Sequence, residues 1–358
     1  MNITALEAYL VEEPAPAHGW REGLPVSPAT SDSLWIRVVT EDGLDGWSNL
    51  AFWGTVGLDL IDRRLRDLFV GQDALLKEDL WHRVWELDRI EELPIYLLGA
   101  VDVALWDLTA KYAGLPLYQV LGGARTSVPC YASTATFASI EEFLEVVDQC
   151  LELGFTAIKL HAWGDVRKDG ELCTRLREHV GDDVDLLYDG SAAFDPYEAL
   201  ALGRVLEDAS YAWYEEPMRE FQIDAYVRLA DALDIPILAG ETSDGVHHTA
   251  AELLRLGAAD MVRTGWYFKG GITGSIRISH LADSFGRTAE VHGGDLPNLH
   301  LCCAIRNTTW YESMALTNPV VKEAGIDDQG LIHAPTAPGI GWDVDLEALA
   351  AHAVRISR

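Results

Sequence analysis

The stretch SIEEFLEVVDQCLELGFTAIKLH, residues 139–161, contains one complete helix-and-strand unit. In its first part, apolar residues recur three and four positions apart and the pattern closes at Gly154, which is typical of an amphipathic helix. Its second part, FTAIKLH (155–161), is a short apolar run typical of a buried strand. The stretch therefore predicts a helix followed directly by a strand.

The same unit repeats along the chain from about residue 128. Apolar runs alternate with amphipathic helical patterns, and eight strands are predicted, at 128–133, 155–161, 183–189, 211–216, 235–241, 259–264, 288–293 and 309–313. Eight alternating units predict an α/β fold, a parallel (β/α)8 TIM-type barrel. A doubly wound open sheet is the competing fold, but no glycine-rich nucleotide-binding loop follows the first strand.

The two ends of the chain show a different pattern. Residues 1–125 contain two strand-like runs, NITALEAYLV and SLWIRVVT, followed by helical segments. We predict that they form a small α+β capping domain packed on the barrel. The barrel is predicted over 126–313, and the C-terminal segment 314–358 is predicted to return to the capping domain and complete it.

Composition argues against several classes of function. The 358 residues are 49% hydrophobic, which is enough for a large core and two domains. The net charge of −30 would repel the phosphates of nucleic acids. No apolar run reaches the ~18 residues of a membrane span, and the N-terminal stretch has no secretion signal. We therefore expect a cytoplasmic protein that binds neither nucleic acid nor membrane.

The acidity and the cysteines carry less information. The negative charge fits either a high-salt cell interior or a GC-rich genome, and an anionic substrate could approach such a surface only through a locally positive site. The five cysteines form no CxxC pair and are odd in number. We interpret them as reduced thiols of the core rather than disulfides or zinc ligands.

Acidic residues stand at the ends of three successive predicted strands. These are Asp189, then Glu215 or its neighbour Glu216, then Glu241. In a barrel, the carboxyl ends of the strands share one rim, so these side chains would converge and repel one another. Carboxylate oxygens in this number suit Mg²⁺ or Mn²⁺. The alternative, in which each acidic residue caps the following helix, explains single residues better than it explains all three.

Basic residues are predicted at the same rim. Lys159 and His161 are two positions apart and therefore point to the same face of the second strand, and His292 ends the seventh strand. Taken singly, such residues are usually surface ion pairs or structural histidines. Their common rim with the three carboxylates favours a functional site.

Two loops of the capping domain are candidates for the wall of this site. The stretch 16–28 is punctuated by glycine and proline, and His18 or Arg21 could extend from it to the mouth of the barrel. The stretch 49–57 contributes aromatic side chains, with Trp53 as the candidate contact. These aromatics could equally pack against the barrel.

The chain resembles the enolase superfamily, and within it the mandelate racemase subgroup. The resemblance extends from end to end and rests on five motifs that occur in the family's order, AVDVALWDLTAKYAGLPLYQVLGG (100–123), YDGS (188–191), YEEP (214–217), AGE (239–241) and KGGITG (269–274). It implies Mg²⁺, or Mn²⁺ in its place, held by Asp189, Glu215 and Glu241, with Glu216 behind them. It also implies a homo-oligomer, by analogy alone.

The resemblance further implies removal of a proton alpha to a substrate carboxylate. Lys159 would supply charge to that carboxylate, with Arg263 as the first alternative source. His161 would take the proton, and His292 would act on the opposite face of the resulting enolate. The stabilising charges are needed because such a C–H is too weak an acid for any side-chain base alone.

Three positions depart from the family's pattern. His161 stands where the family often has a second lysine. Gly265 stands where an aspartate commonly orients the histidine of the seventh strand, which leaves Glu290 as the candidate partner of His292. Ser191 stands where asparagine is frequent. These departures bear on the substrate rather than on proton abstraction.

The predicted function is dehydration of a sugar acid to a 2-keto-3-deoxy acid. A racemase or epimerase is the near alternative, because protonation of the enolate from the opposite face needs no leaving group. A cycloisomerase is the third reading, and a barrel that binds a metal and a carboxylate without catalysis is a distant one.

Overall fold

The computed structural model describes residues 1–358, apart from the side chain of Tyr96. The chain begins with an antiparallel sheet of β1 (Ile3–Pro14), β2 (Thr30–Thr40) and β3 (Asp45–Leu50). The first two correspond to the predicted runs, whereas β3 was not predicted.

Helices follow this sheet and cover one of its faces. They are α1 (Gly54–Leu60), a π-helical turn Ile61–Leu65, α2 (Arg66–Phe69), α3 (Lys77–Glu91), α4 (Ile95–Ala113) and α5 (Leu117–Val120). The α4 helix lies directly on β3 at Gly46, where a Cβ atom would lie 2.0 Å from the carbonyl oxygen of Ala104. Only glycine permits this close approach.

Eight parallel strands form the central sheet, as the repeat predicts. They are β4 (Ser127–Thr134), β5 (Ala157–His161), β6 (Asp185–Asp189), β7 (Trp213–Glu215), β8 (Ile237–Ala239), β9 (Met261–Thr264), β10 (Thr288–Val291) and β11 (Tyr311–Ala315). Strands β4 to β10 lie side by side in chain order, and β11 pairs with the free side of β4. The sheet therefore curls round, and the predicted (β/α)8 barrel is confirmed.

Seven helices alternate with these strands, α6 (Ile140–Glu152), α7 (Val166–Val180), α8 (Pro196–Asp208), α9 (Ile223–Ala232), α10 (His247–Leu256), α11 (Gly271–Ser284) and α12 (Leu296–Ala304). The α6 helix shows why the opening stretch folds as predicted. Its N-cap, Ser139, accepts a hydrogen bond from the backbone N–H of Glu142, and its apolar stripe, including Phe143 and Val147, is buried.

The C-terminal segment contacts both parts of the molecule. Strand β12 (Leu331–His333) pairs with the start of β4 in the barrel. After α13 (Leu346–His352), strand β13 (Arg355–Ser357) pairs with β1 at the edge of the N-terminal sheet. The domain division at 125 and 313 stays a prediction.

The described residues include no helix that is both long and apolar enough to cross a membrane. All five cysteines are buried and unpaired.

Candidate active site

Three carboxylates meet at the carboxyl ends of β6, β7 and β8. Asp189 and Glu215 lie opposite each other in the parallel register of β6 and β7, and Glu241 follows β8 after one glycine. One oxygen from each lies within 4.8 Å of the others. The strand-end pattern therefore brings together the three residues named from the sequence.

The electrostatics of this trio fit a divalent cation. Burial and the neighbouring charges of Asp189 and Glu215 raise the pKa of Glu241 to about 8. A positive ion between the three oxygens would relieve this repulsion, and a set made only of oxygen donors is the one that Mg²⁺ prefers. The residues present thus fit the group that the motifs imply.

Lys159 lies beneath the trio and is buried. Its Nζ atom is 2.9 Å from Glu312 Oε1, 3.1 Å from Glu215 Oε2 and 3.4 Å from Asp189 Oδ2. Burial alone would lower its pKa, but Glu215 and Glu312 outweigh burial and raise the pKa well above the ordinary lysine value. Lys159 therefore carries a positive charge and is not a base in this state.

His161 ends β5 beside Asp189, its partner in the β5–β6 register. Its Nδ1 atom lies 2.7 Å from the carbonyl oxygen of Thr134, and its Nε2 atom lies 3.1 Å from Asp189 Oδ2. Because a carbonyl can only accept, Nδ1 must carry a hydrogen. With Nδ1 occupied by the carbonyl, Nε2 is the ring atom that can exchange a proton on the side of the carboxylates, which is the position that a base needs.

His292 follows β10 and contacts the other end of the trio. Its Nε2 atom is 3.4 Å from Glu241 Oε1, and its ring lies beside Phe268 with centroids 5.6 Å apart. Burial lowers the pKa of His292 to about 4, so the ring is neutral near pH 7. The two histidines therefore contact opposite ends of the carboxylate trio, His161 at Asp189 and His292 at Glu241.

The residue suggested to orient His292 has other partners. Glu290 accepts hydrogen bonds from the backbone N–H and hydroxyl of Thr309, at 2.9 and 2.8 Å, and from the hydroxyl of Thr308 at 3.2 Å. It therefore does not orient His292, and that suggestion was wrong. The glycine at the family's aspartate position, Gly265, has φ 139°, a backbone conformation that an aspartate rarely adopts.

Arg263 lies behind Glu215 rather than at the open side of the site. Its Nη2 atom is 2.7 Å from Glu215 Oε2 and 3.1 Å from Tyr131 Oη, and its Nη1 atom is 3.1 Å from the carbonyl oxygen of Val291. The side chain is 1% exposed. With these donors occupied, Arg263 supports Glu215 from below and does not face a substrate.

Glu216, the second residue of the adjacent pair, acts on the backbone. Its Oε1 atom accepts the N–H groups of Gly240 at 2.6 Å and Glu241 at 3.2 Å. Burial raises its pKa to about 8. Glu216 therefore fixes the position of Glu241 and is not a member of the trio.

The capping loop 16–28 covers the mouth, as expected from the sequence. Trp20, which was not predicted, lies against His161 with ring centroids 4.6 Å apart, and His18 packs on Trp20 at 4.7 Å. Arg21 donates from Nε to the carbonyl oxygen of Ser191 at 2.9 Å. The second loop differs, because Trp53 is 60% exposed and has no ring contact or hydrogen bond with the cluster among the described residues.

Comparison with known proteins identifies the family that has this architecture. The model of the enolase C-terminal domain-like family matches residues 142–349, and that of the mandelate racemase/muconate lactonizing enzyme N-terminal domain matches residues 17–122. The chain belongs to the enolase superfamily. Its matches to both domains agree with the resemblance to the mandelate racemase subgroup.

Three similar proteins show which superfamily members this one resembles. An arabinonate dehydratase of Saccharolobus solfataricus is 30% identical over 86% of this chain and 87% of its own length. An L-talarate/galactarate dehydratase of Salmonella typhimurium is 32% identical over 90% and 83%. A D-glucarate dehydratase structure from Agrobacterium tumefaciens, complexed with magnesium, superposes with a TM-score of 0.92 at 32% identity and covers 99% of this chain and 100% of its own.

In this superfamily member, sequence reasoning missed Glu312 and Trp20 at the site. Glu312 also accepts the backbone N–H of Gly293 at 2.7 Å, and the charges of Lys159 and Arg263 hold its pKa well below the usual value although burial opposes them. The signal was the glutamate in TWYES, on the eighth predicted strand. Trp20 had no comparable signal, because its position depends on contacts between distant parts of the chain.

Proposed function

We propose that this enolase-superfamily protein is a Mg²⁺-dependent hydro-lyase that dehydrates a sugar acid to a 2-keto-3-deoxy acid. The observation that carries the proposal is the imidazole of His161, whose Nε2 atom lies beside three convergent carboxylates above a buried ammonium group. The dehydratase names of the similar proteins support the choice of reaction.

In this proposal, Asp189, Glu215 and Glu241 hold the cation. When bound, Mg²⁺ supplies positive charge that stabilises the negative charge developing on the substrate carboxylate. Lys159 supplies a second positive charge from beneath the site. Its burial among carboxylates strengthens these interactions, because the site has a low local dielectric.

His161 takes the α-proton on Nε2, and the electron pair of the C–H bond passes to the carboxylate as an enediolate. The pair then forms the α,β double bond as the β-carbon–oxygen bond breaks. The departing hydroxyl takes a proton from the acid on its face, His292, and leaves as water. The enol product tautomerises to the 2-keto acid. His292 is neutral in the free protein and must gain its proton before this step.

The neutral His292 ring favours a racemase or epimerase as the second candidate function. A neutral His292 can itself remove an α-proton, from the face opposite His161. Two bases on two faces interconvert epimers without loss of a hydroxyl. Product analysis by NMR after incubation with a library of sugar acids distinguishes a 2-keto-3-deoxy acid from an epimer.

The metal site is tested by Glu215→Gln and its matched neighbour Glu216→Gln. We expect Glu215→Gln to lose measurable Mg²⁺ binding by calorimetry and turnover with it, because a ligand is removed. Glu216→Gln should be far milder, since a neutral amide resembles a carboxyl whose pKa is about 8 and keeps an acceptor oxygen. Wild-type Mg²⁺ affinity in Glu215→Gln would place the metal elsewhere.

A homo-oligomer is also part of the proposal, by analogy to the family. Analytical ultracentrifugation would test it.

A further inference from the structure

The side chain of Asn298 joins the two loops that follow β9 and β10. Asn298 lies in the first turn of α12 and is 2% exposed. Its Nδ2 atom donates to the carbonyl oxygen of His292 at 2.9 Å, and its Oδ1 atom accepts the backbone N–H of Trp266 at 3.2 Å. Because a carbonyl only accepts and an N–H only donates, the amide can lie only one way round. One buried side chain thus links His292 to the neighbouring loop.

The carboxylate of Asp295 holds this amide in place. Asp295 is the N-cap of α12, and its Oδ1 atom accepts the backbone N–H of Asn298 at 2.9 Å. Its Oδ2 atom accepts the indole N–H of Trp266 at 2.6 Å. Asn298 and Trp266 are therefore joined twice, once by the amide and once by the carboxylate, and buried networks that are satisfied in this way are rigid. We call Asn298, Trp266 and Asp295 the clamp.

The backbone groups on either side of the His292 carbonyl are also bonded. The N–H of His292 donates to the carbonyl oxygen of Thr264 at 2.7 Å. The next N–H along the chain, that of Gly293, donates to Glu312 Oε2 at 2.7 Å. With the bond from Asn298, three consecutive polar groups of the backbone have partners. The backbone of His292 is therefore fixed, and its ring moves only by rotation about the side-chain bonds.

The clamp occupies the place where the family's pattern has an orienting aspartate. A Cβ atom added at Gly265 would lie 2.8 Å from the carbonyl oxygen of His292 and 3.5 Å from Asn298 Oδ1. A side chain at position 265 and the bond from Asn298 to His292 therefore exclude each other. In this chain the orienting group binds the backbone of His292 rather than its ring.

We infer that Asn298 is a positioning residue, which holds the His292 ring on the face of the substrate opposite His161. The inference rests on the proposed function, in which His292 gives a proton to the departing hydroxyl. Without the bond from Asn298, the His292 carbonyl oxygen loses its side-chain donor and the loop that carries the ring is free to shift. A displacement of about 1 Å from the productive geometry can lower a rate about 100-fold.

Two readouts of one experiment separate positioning from a general loss of structure. His161 is held by Thr134 and Asp189, outside the clamp. In Asn298→Leu, which has a similar side-chain volume but neither donates nor accepts, we expect net turnover of a sugar acid to fall about 10–100-fold. Exchange of the α-proton in D₂O, which His161 performs, should stay near the wild-type rate. Equal loss of both readouts, or loss of neither, would overturn the inference.

A double variant shows whether Asn298 acts through His292. Residues that act through one another have effects that are not additive. In protein that already carries His292→Asn, Asn298→Leu should therefore cause little further loss of turnover. A further loss as large as the one in the wild-type background would show that Asn298 acts by another route, and the inference would fail.

Asn307 offers a matched control on the same side of the barrel. Its Nδ2 atom also donates to backbone carbonyl oxygens, those of Ser279 at 3.0 Å and Arg287 at 3.2 Å, just before β10 begins. Asn307→Leu should lower stability but leave the ratio of turnover to exchange unchanged. The same fall of that ratio in Asn307→Leu would mean a general structural effect and would overturn the assignment. Asn298→Ala repeats the test if the leucine variant does not fold.

NMR of the histidine rings tests the inference without turnover. In protein labelled with ¹³C at histidine Cε1, the signals of His292 and His161 are identified among the eleven histidines by their loss in His292→Asn and His161→Asn. Asn298→Leu should shift or broaden the His292 signal and leave the His161 signal in place, and Asn307→Leu should change neither. An unchanged His292 signal overturns the inference whatever the reaction is. A shifted signal in a protein that turns over no sugar acid supports the positioning and overturns the dehydratase alone.

Discussion

The β5 side and the β10 side of the barrel mouth each carry a histidine, but they hold it differently. His161 is fixed by the Thr134 carbonyl at Nδ1 and by Asp189 at Nε2, and the Trp20 ring covers it. Among the described residues, the His292 ring has a 3.4 Å contact with Glu241 and a tilted contact with the Phe268 ring. A base must be aligned with the bond it breaks. The comparison indicates that His161 is held in one orientation as the base, whereas His292 is less constrained.

The largest effect is expected from removing the imidazole of His161, the more constrained of the two histidines. In His161→Asn, hydrogen–deuterium exchange at the α-carbon and net turnover should both fall about 10²–10⁴-fold, the usual contribution of a positioned base. NMR of the substrate in D₂O measures the exchange. His280→Asn, at an exposed position of α11, is the control.

Removing the second ring should separate two readouts that His161→Asn lowers together. In His292→Asn we expect α-carbon exchange to survive, because His161 is intact, while net turnover falls about 100-fold through loss of the acid. The same D₂O experiment measures both. Exchange lost here but retained in His161→Asn would show that the two roles are reversed.

A smaller effect is expected from loosening the fixed side. Trp20→Ala should lower kcat by up to about 10-fold, because an aromatic contact of roughly 0.5–1.5 kcal/mol no longer restrains the His161 ring. Trp53→Ala is the matched control from the other capping loop and should have less effect. If Trp53→Ala is the more damaging change, the 49–57 loop contacts the substrate after all.

The smallest effect on chemistry is expected from an attempt to make the two sides alike. Gly265→Asp restores the family's residue but should not activate His292, since its Cβ would lie 2.8 Å from the His292 carbonyl oxygen and φ is 139°. We expect the variant to lower the free energy of unfolding, measured by urea denaturation, by about 1–3 kcal/mol. Gly286 also has a positive φ, but an added Cβ would meet no atom there. We therefore expect Gly286→Asp to lower the free energy of unfolding by less. A rise in exchange in Gly265→Asp would refute this account.

The sequence indicated the β6–β8 part of the site better than its surroundings, for a physical reason. Asp189, Glu215 and Glu241 follow from strand periodicity, because each ends a local apolar run and parallel strands share one rim. Glu312 lies near the start of β11 instead, so the strand-end rule did not select it. Arg263 was expected at the substrate, but its position under Glu215 depends on register across β9 and β7, which no local pattern encodes.

The loops explain the remaining differences. Trp20 and Trp53 both lie in glycine-containing loops with nearby aromatic residues, yet only Trp20 contacts the barrel site. Loop conformation is set by contacts between residues far apart in the chain, such as the hydrogen bond from the Thr136 N–H to the Gly19 carbonyl oxygen at 2.9 Å. Periodicity carries no information about such contacts.

The pairing of β13 with β1 has a consequence for the order of events during synthesis. The edge of the N-terminal sheet is formed by residues 355–357, whereas the eight barrel strands are complete at residue 315. The barrel can therefore assemble while the first sheet, although synthesised earliest, still lacks its outer strand. Until those three residues emerge from the ribosome, the outward backbone groups of β1 at Ala8–Leu10 lack the partners that β13 supplies, and other chains can pair with such an edge.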